Sequence, residues 1–179
     1  MLAYNVRTLD KVTVAFKHEV KGLNKGNLKE ILTKYKTIAI VGLSRDPSND
    51  SHKVAEYLKK HGFHIVPINP FADELLGVKS YKSLFEMPAE VQKTVEIVDV
   101  FRHSEVVLSI VEQAIQFKKL YGVPYMIWMQ LGIINEPAAE MARKAGLTVV
   151  MDKCMMQEHQ RLFASGIKIE KFMKEDGKS

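Results

Sequence analysis

Short apolar runs that alternate with amphipathic segments constrain this chain more than any other feature. Ile38-Ala39-Ile40-Val41 precedes a helical face of Val54, Ala55 and Leu58, and Phe63 to Ile68 precedes a short helix predicted at Tyr81 to Phe85. Val95 to Val100 precedes a stripe of Val107, Ile110, Val111, Ala114 and Ile115, and Tyr125 to Trp128 precedes Ala138, Met141, Ala142 and Ala145. Leu147 to Met151 closes the series. Runs without polar alternation suit strands covered on both faces, and strand-helix repetition of this kind requires right-handed crossovers above and below a parallel sheet.

The predicted fold class is α/β, a Rossmann-like doubly wound three-layer sandwich with a mostly parallel five-stranded sheet. Local signals set its boundaries. Gly62 and Gly146 follow helical stripes, where a residue with positive φ ends a helix cheaply. Ser104 and Asn135 are predicted N-caps, and Asn69-Pro70 stops the second strand because proline has no ladder donor. Asn27 is predicted to cap a helix carrying Leu28, Ile31 and Leu32, which belongs to an N-terminal extension over residues 1–35. The main domain is predicted over residues 36–165 and a lysine-rich tail over residues 166–179. Val12 to Phe16 has strand character with no partner assigned. Ligands of such sheets bind at the carboxyl ends of the strands, where strand order reverses, and the loops after the first and fourth strands are expected to matter most.

Composition narrows the partner class without choosing it. The net charge of +5 favours anions in general, but the lysines are dispersed and lack the aromatic interleaving of single-strand readers, so nucleic acid is not the expected partner. A single cysteine, Cys154, rules out an intramolecular disulfide and suits a reducing compartment. No stretch is long enough to span a bilayer, and Met1 to Lys21 mixes charges into its apolar pieces, so a cytoplasmic location is expected.

Chemistry concentrates in the first strand-to-helix turn, Val41-Gly42-Leu43-Ser44-Arg45-Asp46-Pro47. Gly42 permits close backbone approach, Ser44 offers a hydroxyl, Arg45 offers a forked cation, and the following helix presents its positive end. Together they predict a phosphate-bearing ligand. Ser44 and Pro47 stand where a dinucleotide fingerprint needs its second and third glycines, the second strand ends without an acidic residue, and no Gly-Lys-Ser/Thr ending is present. Both the NAD and the P-loop readings are weakened accordingly.

That turn, followed by Ser51, Val54 and Leu58, then Asn69-Pro70, Asp99-Val100-Phe101-Arg102 with Ser104-Glu105, Trp128-Met129-Gln130-Leu131-Gly132, and Asp152-Lys153-Cys154 with Glu158-His159, resembles the stand-alone CoA-binding domain family. The family is similar to the CoA-binding Rossmann domain of the succinyl-CoA synthetase alpha subunit, and the resemblance covers roughly residues 36–162. It implies coenzyme A or an acyl-CoA across the strand ends. The residues implied are Gly42, Leu43, Ser44, Arg45, Lys53, Asn69, Pro70, Phe101, Arg102, Gln130 and Gly132. His103 departs from the proline more usual after the Phe-Arg pair.

The resemblance stops short of catalysis, because the synthetase uses a phosphorylated histidine from a second domain for which this chain has no room. The expectation is a non-catalytic binding or regulatory module, with no catalytic residue and no metal site assigned. A second copy of the chain or another protein is compatible as partner. The alternatives are an enzyme using a nicotinamide cofactor, a CoA-thiol redox chemistry at Cys154 near Glu158 and His159, or a subunit of an acyl-CoA ligase. Among the other histidines only His52 lies beside the phosphate turn.

Overall fold

Strand and helix alternate from residue 37 onward in the computed structural model, which describes residues 25–164. The expected strand at 12–16 and the tail at 166–179 lie outside the described residues. In chain order the elements are α1 (Lys25–Lys34), β1 (Thr37–Val41), α2 (Asp50–Lys60), β2 (His64–Ile68), β3 (Glu74–Leu75), β4 (Val78–Lys79) and α3 (Ala89–Gln92). They continue with β5 (Ile97–Val100), α4 (Ser104–Tyr121), β6 (Met126–Met129), α5 (Glu136–Lys144), β7 (Thr148–Val150) and α6 (Met155–Phe163).

Five strands form one parallel sheet in the order β2-β1-β5-β6-β7. Its register pairs Ile38 with Ile65 and with Ile97, Ile97 with Met126, and Met126 with Thr148. Side chains alternate across a strand, so each apolar run feeds two cores. Ala39, Val41, Val98, Val100, Ile127 and Met129 pack under α4 and α5. Ile38, Ile40, Ile97, Met126 and Trp128 pack under α1, α2 and α6. Because β5 and β6 are buried along their whole lengths, alternation could not be visible in their sequences.

Several local expectations are corrected by tertiary contacts. The segment Tyr81 to Phe85 is not helical: Tyr81 bridges to Ile68, donating its N–H to Pro67 O at 3.0 Å and accepting from Asn69 N at 2.8 Å. The short helix is α3, opened by Pro88. Between β2 and Tyr81 lies a two-stranded hairpin, β3 with β4, whose Leu76 and Gly77 take positive φ. Asn27 lies inside α1 rather than capping it, since packing of Leu28 and Leu32 into the second core carries the helix further upstream. His103, not Ser104, occupies the N-cap of α4. Ser104 Oγ instead accepts from Ile134 N, and its carbonyl accepts from Asn135 Nδ2 at 2.7 Å. Asn135 also caps α5 as expected, accepting from Ala138 N at 2.9 Å, so one side chain ties the starts of α4 and α5 together.

The strand order also relocates the reversal point. The chain leaves β1 toward β2 and returns on β1's other side at β5, so the diverging loops are those after β1 and β5. The expected emphasis on the loop after the fourth strand is corrected in the same way, because the β5 to β6 to β7 progression never changes direction.

Candidate functional site

At the reversal point the backbone continues the sheet ladder briefly before diverging. Gly42 N donates to Ile68 O at 2.9 Å, and Phe101 N donates to Val41 O at 2.9 Å. Gly42 has φ +94°, and a Cβ added there would stand 2.7 Å from Arg102 Cδ and 2.9 Å from Phe101 O. The missing side chain therefore seats the stem of Arg102 against β1. Beside it opens a cleft of about 180 Å³, floored by Val41, Ile68, Leu84 and Ile110 and edged by Pro70, Lys82 and Arg102. Sites that bury a whole small-molecule ligand run to about 300–1,000 Å³, so this cleft by itself has room for only part of such a molecule.

The loop from Leu43 to Lys53 is wired from within. Ser51, 2% exposed, accepts from Ser44 N at 2.9 Å and its own hydroxyl donates to Asn49 Oδ1 at 2.9 Å. Asn49 caps α2 by accepting from Ser51 N at 3.0 Å. Ser44 Oγ accepts from Asp46 N at 3.1 Å, and His52 Nδ1 lies 2.9 Å from Ser44 O. Because a carbonyl only accepts, that contact fixes the His52 proton on Nδ1. Asp46 accepts from Ser48 N, which holds its carboxyl below the usual range. From the far side, Asn69 Nδ2 donates to Leu43 O at 2.7 Å. The turn is thus preformed, with the Ser44 hydroxyl proton left to donate.

Of the expected residues, Gly42, Pro70 and Arg102 meet in the cleft. Leu43, Ser44 and Asn69 are tied together beside it by the bonds above, and Arg45 is exposed with no bond among them. Lys53 lies on the first turn of α2, where its Nζ is 3.7 Å from the exposed Asp50, a surface pair worth little. Phe101 is half-buried against the second core. Gln130 is placed elsewhere: it is 3% exposed, its Nε2 donates to both oxygens of Asp99 at 2.9 Å, and its Oε1 accepts from Met155 N at 3.2 Å. Burial pushes the Asp99 carboxyl up to about 8 against the opposing pull of the Gln130 amide. Gly132, φ +80°, donates its N–H to Asp152 Oδ1 at 2.7 Å, which steadies the turn beyond β6.

Lys82, Ser83 and Gln113 line the cleft and were not among the expected residues. Lys82 and Ser83 fall in the segment read as helix. Gln113 sits three residues after Ile110 on α4, a spacing that places both on one face. Asn49 and His52 show their value only through contacts across the loop.

Cys154, Glu158 and His159 each have surroundings of their own. Cys154 is the half-buried N-cap of α6 and packs against the second core. Glu158 pairs with Arg161. His159 turns toward the Tyr57 hydroxyl, 3.0 Å from its Nδ1, and stacks on Phe163. Burial, with help from His61 and Lys36, lowers the His159 pKa to about 4. Between pH 6.5 and about 4 the unfolded chain takes up a proton that the native state refuses, so stability falls as pH falls through that window. The deficit is expected to be on the order of 2 kcal/mol at the acid end. The measurement is the melting temperature of the wild type minus that of His159→Phe across this range; a pH-independent difference would contradict the assignment.

A family model described as a CoA binding domain matches residues 36–160. The chain belongs to the CoA-binding domain family. It is 39% identical to the Bacillus subtilis protein YneT over 136 residues, covering 76% of this chain and 94% of that one. It is 28% identical to the acetate–CoA ligase (ADP-forming) II alpha subunit of Pyrococcus furiosus over 138 residues, which is 75% of this chain but only 30% of that subunit. Among solved structures, a hypothetical protein from Pyrococcus horikoshii is 38% identical with a TM-score of 0.71, covering 80% of this chain and 94% of that one. A Thermus thermophilus protein is 34% identical with a TM-score of 0.70, covering 79% of this chain and all of that one. Among the described residues of this family member, no helix is long and apolar enough to cross a membrane and no cluster of His, Cys, Asp and Glu could hold a metal.

Proposed function

We propose that the chain is a non-catalytic binding or regulatory module for coenzyme A or an acyl-CoA. The observation that carries this reading is the close approach of Gly42 and Arg102 at the reversal point, beside cations that no carboxylate neutralises. Among the described residues, Arg45 and Arg102 have no ion-pair or hydrogen-bond partner. The residues present suit the cofactor's phosphates: Arg45 and Arg102 supply charge, Ser44 supplies a hydroxyl proton, and Gly42 supplies the space. Leu43 and Asn69 brace the turn through their own bond, Pro70 and Phe101 shape its walls, and Lys53 adds charge at the start of α2. Gln130 and Gly132 support the site indirectly, by ordering the turn after β6. A nicotinamide dinucleotide is less well served, since Asn69 stands where a ribose-holding carboxylate is needed and its amide is engaged with Leu43.

Coenzyme A at about one hundred times its dissociation constant stabilises a native state by about 2.7 kcal/mol. For a chain of this size that is expected to raise the melting temperature by roughly 5–10 °C, while NAD⁺ raises it little. The reverse pattern would overturn the reading.

A second reading follows from the match to the ligase alpha subunit, which covers 30% of that protein: the chain serves as the CoA-holding part of an acyl-CoA ligase completed by a separate partner. The purified chain alone is expected to make no acetyl-CoA from acetate, ATP and coenzyme A. Turnover by the chain alone would refute the non-catalytic reading.

A further inference from the structure

The cleft beside Gly42 carries a charge arrangement that the phosphate turn does not explain. Lys82 enters its lining from the segment after β4, and Arg102 enters from the loop after β5. Neither has an ion-pair or hydrogen-bond partner among the described residues, and no carboxylate lines the cleft. The neighbouring Lys79 is engaged differently, over the ring of Tyr81 at 5.4 Å. Two cations sharing one small opening repel each other unless an anion joins them. The stem of Arg102 packs against Gly42, where a Cβ would stand 2.7 Å from its Cδ, so the glycine lets this cation sit at the edge of the opening.

A phosphomonoester carries between one and two negative charges near neutral pH, more than either phosphorus of a diphosphate bridge, and offers three acceptor oxygens. Below the cations the floor is apolar, and the Gln113 side chain adds one donor and one acceptor to the lining. A flat heteroaromatic ring fits such a floor, and a Gln amide matches the donor-acceptor edge of adenine. In coenzyme A the one phosphomonoester sits on the ribose 3′ carbon, next to the adenine.

We propose that this cleft reads the adenosine 3′-phosphate end of coenzyme A, with Lys82 and Arg102 as the specificity residues that bind the 3′-phosphate and Ile68, Ile110 and Gln113 receiving the base. The proposal rests on the CoA reading above and goes further, because it assigns discrimination against dephospho-CoA and NAD⁺ to two side chains.

Calorimetric titration with coenzyme A, dephospho-CoA and adenosine 3′,5′-bisphosphate tests it. The wild type is expected to bind coenzyme A at least about tenfold tighter than dephospho-CoA, the size expected for a charge-assisted contact, and to bind the bisphosphate alone. Lys82→Gln is expected to weaken coenzyme A about tenfold while leaving dephospho-CoA within about twofold, and Lys82→Arg to restore the preference. Melting temperatures of the free variants serve to separate a folding defect from lost contact, since Lys82 is exposed. Equal affinity of the wild type for coenzyme A and dephospho-CoA, or equal weakening of both by Lys82→Gln, overturns the proposal while leaving the CoA reading intact. Absence of coenzyme A binding to the wild type removes both.

Discussion

Gly42→Ala is expected to lower the melting temperature by roughly 5–15 °C and to weaken coenzyme A binding at least about tenfold, the largest loss expected from a glycine-to-alanine change among the described residues. Two separate costs act together. At φ +94° an L side chain is strained, at about 1–2 kcal/mol. The added Cβ would also meet Phe101 O at 2.9 Å and Arg102 Cδ at 2.7 Å. Arginine can swing aside, but the Phe101 carbonyl is backbone and follows an N–H bonded to Val41, so β1 and the loop after β5 must separate. Gly62→Ala is the control: its φ is +82° and nothing lies within 4 Å of its new Cβ, so strain alone, about 1 kcal/mol, is expected, with binding unchanged. Thermal melts and titration of both variants check the difference. Equal behaviour of the two would show that close approach at Gly42 has no energetic weight.

Gln130→Leu is expected to cost about 3–5 kcal/mol, seen as a fall of roughly 10–15 °C in melting temperature, because it strands two buried groups at once. The Asp99 carboxyl loses its amide donor, and Met155 N at the start of α6 loses its acceptor. The same pair predicts a pH dependence. Unfolded, the carboxyl titrates near 3.8; folded, near 8. Between these values the native state holds a proton that the unfolded chain has released, so stability declines as pH rises, by about 1.4 kcal/mol per unit, and levels off beyond pH 8. Removing the Gln130 amide, which favours the ionised form, moves the upper limit further up. Below pH 6.5 the His159 effect has the opposite sign and partly offsets this, so the wild-type profile is expected to fall gently from pH 4 to 6.5 and more steeply above it. Denaturant melts from pH 4 to 9 check this; a stability that climbs from pH 6.5 to 8 would exclude a protonated Asp99.

Much of the architecture was legible because its signals are local. The run Ile38 to Val41, the stripe on α4 and the Asn135 cap each speak through neighbours within a turn or a strand. Gly42 and Arg102, read as parts of separate motifs, do line one cleft. Tyr81 misled the reading because its conformation is set by Ile68, thirteen residues away and bonded through Pro67 and Asn69. Lys82 was lost with it. Gln130 is implied as a ligand contact by the family resemblance alone; its bonds to Asp99 and Met155 depend on the packing of β5 and β6 against the start of α6 and have no local signal.

What residue order determined by itself was the α/β class, and its residue types at the first turn are what motivate the proposal of a phosphate-bearing ligand there. Apolar periodicity, helix capping and the φ freedom of glycine are properties of short segments and survive without the fold. Tertiary structure alone decided that β5 returns beside β1, that the reversal point therefore pairs the loops after those two strands, and that Lys82 and Arg102 face one opening. The reason is that strand order and the meeting of distant side chains depend on which crossovers bury the most apolar surface across the whole sheet, a sum that no local stretch contains.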